Sequence, residues 1–181
     1  MKKWMVLLFL GHSLCSSAQQ LVTRNGYIGF FSKTPFEDIR AESNQTAAAL
    51  DPAKQTLAFA VLMKGFLFRK ELMQEHFNEN YVESNKYPKG EFKGSITNNS
   101  TITYTNDGSY PAEVSGKLTI HGITKDVKAK GSVKVNGGKI NVASVFNILL
   151  SDYKIKIPSI VKEKLSNNIK ITVDCLLEPL K

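Results

Sequence analysis

The sequence predicts an all-β fold, an antiparallel barrel of about eight strands, closed or nearly so, with one or two short helices. Three observations carry this. Apolar and polar residues alternate with a period of two over several long segments, turn residues separate those segments at short intervals, and only two stretches show helical spacing. Closure follows from the edges, because a long open sheet would leave unpaired backbone groups along two of its strands.

Residues 56–63 follow the Asp51-Pro52 break and are apolar on both faces, so they are expected as a strand covered on both sides. Residues 68–77 place Phe68, Leu72, Met73 and His76 or Phe77 on one stripe at 3.6-residue spacing, the pattern of an amphipathic helix. Glu71, Glu75 and Glu79 recur every four residues as its solvated face. After the turn at Asn106-Asp107-Gly108, residues 113–120 set Val114, Gly116, Leu118 and Ile120 inward, and His121-Gly122 turns the chain into Ile123.

In the next segment Val127, Ala129, Gly131, Val133 and Val135 point one way, while Lys128, Lys130 and Lys134 point the other. Asn136-Gly137-Gly138 supplies the positive backbone angles of a hairpin. The return strand starts at Lys139 and runs through Ile140, Val142 and Phe146. Residues 158–165 read as a second short helix, with Pro158 at its favourable first position. Ile169, Ile171, Val173, Cys175 and Leu177 share one strand face, so Cys175 is expected as a small buried hydrophobe rather than a reactive thiol.

The N-terminus carries a targeting pattern. Lys2 and Lys3 precede the apolar run from Trp4 to Leu10, and small residues lead to Ser16-Ser17-Ala18, which marks residues 1–18 as a secretory signal peptide cleaved after Ala18. The apolar run is far shorter than the roughly 20 residues of a membrane-spanning helix. Cys15 follows Leu14, where a lipid-attachment site needs a small residue. The mature domain, residues 19–181, then holds Cys175 alone, forms no internal disulfide, and depends on its core for stability. Its address is periplasmic or secreted.

The 181 residues, 42% hydrophobic and 22% charged, fit one folded domain. His76 and His121 are the histidines of the mature chain, and no His-x-x-x-His, Cys-x-x-Cys or acidic loop offers a metal site. Nucleotide-loop, dinucleotide and nucleophile-elbow patterns are absent as well, so neither a catalytic residue nor a cofactor is assigned. More informative is the concentration of large, soft apolar residues around the first helical segment, including Phe59, Met63, Phe66, Phe68, Met73, Phe77 and Tyr81. They form either a packed core or the lining of a cavity, since a barrel of about eight strands has room for one small ligand.

Two strings resemble the YceI-like family. One runs from Phe68-Arg69-Lys70-Glu71-Leu72-Met73 through Phe77-Asn78-Glu79-Asn80-Tyr81 to Lys86-Tyr87-Pro88 and Glu91-Phe92-Lys93-Gly94. The other, more specific, is Gly116-Lys117-Leu118-Thr119-Ile120-His121-Gly122-Ile123-Thr124. The resemblance implies a lipocalin-like extended barrel, exported to the bacterial periplasm, that carries an isoprenoid, quinone, fatty-acid-like or similar amphiphile in an apolar tunnel. On it, Phe59, Val61, Met63, Phe66, Phe68, Met73, Phe77, Tyr81 and Phe92 are the expected tunnel lining. Arg69 and Lys70 either meet an anionic head group or are simply solvated; His121 either touches ligand or holds the hairpin by a hydrogen bond. An exported enzyme or accessory factor acting on an envelope lipid, and a solid-cored interaction module, are the alternative functions.

The net charge of +8 points superficially to nucleic acid. Yet residues 117–181 hold 12 basic and 5 acidic side chains, and much of that excess stands on outward strand positions without interleaved aromatic residues. Nucleic-acid binding is therefore disfavoured, and peripheral contact with an anionic membrane is expected instead.

Overall fold

The computed structural model describes residues 19–180; the expected signal peptide lies outside them. Nine strands form, β1 (Leu21–Lys33), β2 (Asp38–Asp51), β3 (Thr56–Leu62), β4 (Leu67–Phe68), β5 (Lys89–Ile96), β6 (Gly108–Ile120), β7 (Ile123–Asn136), β8 (Lys139–Leu149) and β9 (Asn168–Pro179). Eight of them, all but β4, make a closed antiparallel barrel in the order β1-β9-β8-β7-β6-β5-β3-β2, with β2 pairing back onto β1. The two-residue β4 extends the wall by pairing Phe68 with Ala41 of β2. Consecutive long strands are neighbours throughout, so hairpins suffice to build the wall.

The turns read from sequence form where expected. Gly137 and Gly138 take φ of 55° and 78° between β7 and β8, while His121 and Gly122 take 52° and 70° between β6 and β7. The pairing of Ile120 with Ile123 closes the β6–β7 turn, and that of Asn136 with Lys139 closes the β7–β8 turn.

The helix is shorter than its stripe implies. Lys70 is still extended, helix α1 spans Glu71–His76, and the chain continues as one π-helical stretch over Phe77–Tyr81. Because Phe68 belongs to β4, the helical register does not run through it, and Leu72 turns outward at 61% exposure. Two other expectations are corrected. Strand β3 is covered on one face only, with Leu57 and Val61 buried but Leu62 exposed, because it stands in the barrel wall with its other face outward. Residues 158–165 contain a single 3-10 turn, Ser159–Val161, in place of an α-helix.

The interior is divided along the barrel axis. At the end bearing the β2–β3 and β7–β8 turns, Leu50, Val135, Ile140, Cys175 and Leu177 pack into a solid core. Toward the other end, the segment 63–88 and the loop 150–167 fold over the barrel. There Val61, Met63, Phe66, Leu118, Tyr153 and Ile155 form a second cluster with many half-buried aromatic residues around it.

Candidate functional site

Between the packed core and the covering segments lies a cavity of about 310 Å³. Strand alternation builds its wall. Leu57, Phe59 and Val61 come from β3, Phe92 from β5, Val114, Leu118 and Ile120 from β6, and Val127, Ala129 and Gly131 from β7. Small residues make the space. Gly94 and Gly116 pair directly across β5 and β6, and a Cβ at either would press on the Phe92 ring and on the partner backbone. The two glycines therefore let Phe92 lie against the wall instead of standing across the lumen.

All nine residues expected to line a tunnel, Phe59, Val61, Met63, Phe66, Phe68, Met73, Phe77, Tyr81 and Phe92, stand on this wall. Burial pushes the Tyr81 phenol above its ordinary pKa. Four rings close the space beneath the helix. Phe30 lies 5.3 Å from Phe66, 5.7 Å from Phe68 and 5.4 Å from Phe77, and Phe77 lies 5.1 Å from Phe68, distances at which tilted and offset ring pairs attract. Phe30 and its neighbour on the wall, Ile28, escaped the sequence reading although Ile28-Gly29-Phe30 shows the right alternation. Ile148, Leu150 and Ile155 were also missed.

The three expected polar contacts lie off the wall. Lys70 pairs with Glu37 at 3.2 Å and joins the start of the helical segment to the β1–β2 turn. Arg69 is exposed in a shallow polar groove with Lys64, Glu71 and Ser84. At the β6–β7 turn His121 bridges the two covering segments: Nδ1 is 3.0 Å from the Tyr153 carbonyl, Nε2 is 3.3 Å from Glu83, and the ring packs edge-on against Tyr87. These contacts hold the β6–β7 hairpin to both covering segments. Polar side chains that do reach the wall are few and scattered, among them Glu37, His76, Glu91 and Lys164.

Cys175 is fully buried in the solid core, its thiol 3.8 Å from the Tyr27 carbonyl. Burial, assisted by Asp174, raises its pKa to about 12, so it behaves as a buried hydrophobe.

An eight-stranded barrel that is packed at one end and hollow and apolar toward the other has room for one small apolar ligand. The YceI-like domain model matches residues 16–177, and the chain belongs to that family. Among solved structures it resembles a polyisoprenoid-binding domain from Saccharophagus degradans implicated in plant cell wall breakdown, with a TM-score of 0.78 and 11% identity over 90% of this chain and 99% of that one. Burkholderia cenocepacia BcnA matches with a TM-score of 0.68 and 17% identity over 84% and 95% of the two chains. The Campylobacter jejuni YceI protein matches with a TM-score of 0.56 and 17% identity over 100% and 99%. At such identities the likeness is one of fold. No match to a curated protein sequence was found.

Proposed function

We propose that the protein is a non-catalytic binding protein, a carrier for a long-chain amphiphilic lipid of isoprenoid, quinone-like or similar chemistry, whose apolar chain occupies the barrel cavity. The observation that carries this reading is the cavity itself, about 310 Å³ and walled by apolar side chains from the strands and the covering segments. At about 0.8 kcal/mol per buried methylene, ten methylenes contribute about 8 kcal/mol before ordering costs are subtracted. The polyisoprenoid binding of the Saccharophagus domain supports the same ligand class. Binding is favoured over catalysis because the wall is overwhelmingly apolar and its few polar side chains come from separate segments. The reading needs no cofactor.

Export by way of a cleaved signal peptide over residues 1–18 belongs to the same proposal, supported by the charged, apolar and small-residue succession of Lys2 to Ala18. N-terminal sequencing of the protein recovered from the cell envelope tests it, with Gln19 as the expected first residue.

Organic-solvent extraction of the purified native protein, followed by mass spectrometry, tests the carrier reading. The expected result is one apolar amphiphile in stoichiometric amount. Extracts free of such a compound from protein purified without detergent would overturn it.

A further inference from the structure

The barrel wall is not equally closed all the way round. Strands β7 and β8 pair only from Gly131↔Ser144 to Asn136↔Lys139. Beyond that point, toward the covered end, β7 pairs with β6 alone down to Ile123, and β8 pairs with β9 alone through Leu149. The last link across the gap is a side chain, the Ser144 hydroxyl donating to the Lys130 carbonyl at 2.8 Å.

Burial changes along these same two strands. On the paired stretch the inward residues Val133, Val135, Ile140 and Val142 are 1–5% exposed. Where the strands part, the inward residues Val127, Ala129, Phe146 and Ile148 are only half-buried, although the same alternation directs them to the lumen. At the apex of the gap the cavity wall includes Ser132 and Ala143 as well as Gly131 and Ser144, so both strand phases border the space. The opposite end of the gap is bounded by the segment Leu150–Tyr153, which packs on β7 and is tied to His121 through the Tyr153 carbonyl. The outer rim carries exposed Val145 (55%) and Leu149 (42%), apolar side chains on the approach to an apolar space.

We infer that the gap between β7 and β8 is a side window through which an apolar chain enters and leaves the cavity. This rests on the reading of the cavity as a lipid site and adds the route. The alternative route, lengthwise through the barrel, is closed at one end by the solid core around Leu50, Cys175 and Leu177, and at the other, where the cavity reaches Met73, His76, Val161 and Lys164, it runs past the ring cluster of Phe30, Phe66, Phe68 and Phe77. A chain passing sideways leaves both undisturbed.

The test is to tie the window shut. Lys130 and Val145 are the positions that would pair next if the ladder continued beyond Gly131↔Ser144, and both are exposed. A Lys130→Cys/Val145→Cys variant is joined by a short bismaleimide, with the unreacted variant as reference; buried Cys175 is protected from the reagent. Uptake and release of cis-parinaric acid, a fluorescent polyene fatty acid, are followed by stopped flow. Cross-linking is expected to slow both at least about tenfold while the equilibrium affinity changes little, as for a gate. Unchanged rates after complete cross-linking would overturn the window, as would slowing produced instead by joining Glu37→Cys to Lys70→Cys, whose native side chains meet at 3.2 Å at the barrel end. Ala129→Phe, which fills the gap from inside without any reagent, is expected to slow exchange in the same sense, and unchanged exchange in it counts against the window. Saturable binding with unaltered rates defeats the window alone; no saturable binding by the unreacted protein defeats the carrier reading and the window with it.

Discussion

One substitution made at two places on the same strand separates a hollow barrel from a filled one. Val127 and Val135 lie on the same face of β7, Val127 half-buried on the cavity wall and Val135 2% exposed in the solid core away from it. Val135→Asp loses about 1.5–3 kcal/mol of side-chain burial. It also leaves an unpaired charge out of water, which costs several kcal/mol more. The sum approaches the whole of an ordinary domain's stability of about 5–15 kcal/mol, so this variant is expected to be largely unfolded. In Val127→Asp the carboxylate meets the open cavity and its solvent, and the loss is expected to stay below about 2 kcal/mol. Urea denaturation followed by far-UV circular dichroism measures both. The folded Val127→Asp protein is further expected to lose binding of cis-parinaric acid, because an apolar chain would desolvate the new charge. Equal destabilisation at the two positions would refute the division of the interior into core and cavity.

Alkaline pH probes the buried acids. Tyr104, Tyr153 and Cys175 are each raised to about 12 by burial. The folded state therefore keeps protons that the unfolded chain releases near its ordinary values of 10.0 for Tyr and 9.0 for Cys, and stability is full below pH 9 and falls progressively toward pH 12. Denaturation midpoints measured over that range check this, and Cys175→Ala is expected to remove the part of the slope that begins near pH 9. Gly116→Ala places a methyl against the Lys93 carbonyl and the Gly94 Cα, and is expected to destabilise by about 1–3 kcal/mol in thermal or urea unfolding, as overpacking does. Replacing Lys128, Lys130 and Lys134 together with Gln is expected to lower co-sedimentation with anionic vesicles and to leave neutral vesicles unaffected; unchanged anionic binding removes that use for the charge.

The legibility of the chain depended on whether inward positions were apolar and in phase. In β7 and β9 they are both, and the registers of Val127 to Val135 and of Ile169 to Leu177 were readable outright. Neither condition holds in β1 and β2. Their pairing shifts between Thr23 and Gly26 and again between Gly26 and Ile28, and the buried positions of β2 include Ser43, Thr46 and Ala48. A bulge changes the phase of alternation, and small or polar inward residues erase its contrast, so neither strand was recognised and Phe30 went with them. The cavity wall was legible for a related reason: it is built from aromatic and methionine side chains on one strand face and around one helix. Its polar surroundings were not, since Arg69 and Lys70 sit beside the wall in sequence but are held outside it by β4 and the Glu37 ion pair. The parting of β7 from β8 leaves no trace in either strand's alternation, because each keeps its pattern against its other neighbour.

The central claim is that the cavity buries an apolar chain, and a chain-length series tests it most directly. Straight-chain amphiphiles sharing one head group are titrated against the delipidated protein by competition with cis-parinaric acid. Affinity is expected to rise about fourfold per added methylene, equivalent to about 0.8 kcal/mol, and then to level off once the cavity is full. An affinity independent of chain length would contradict the account.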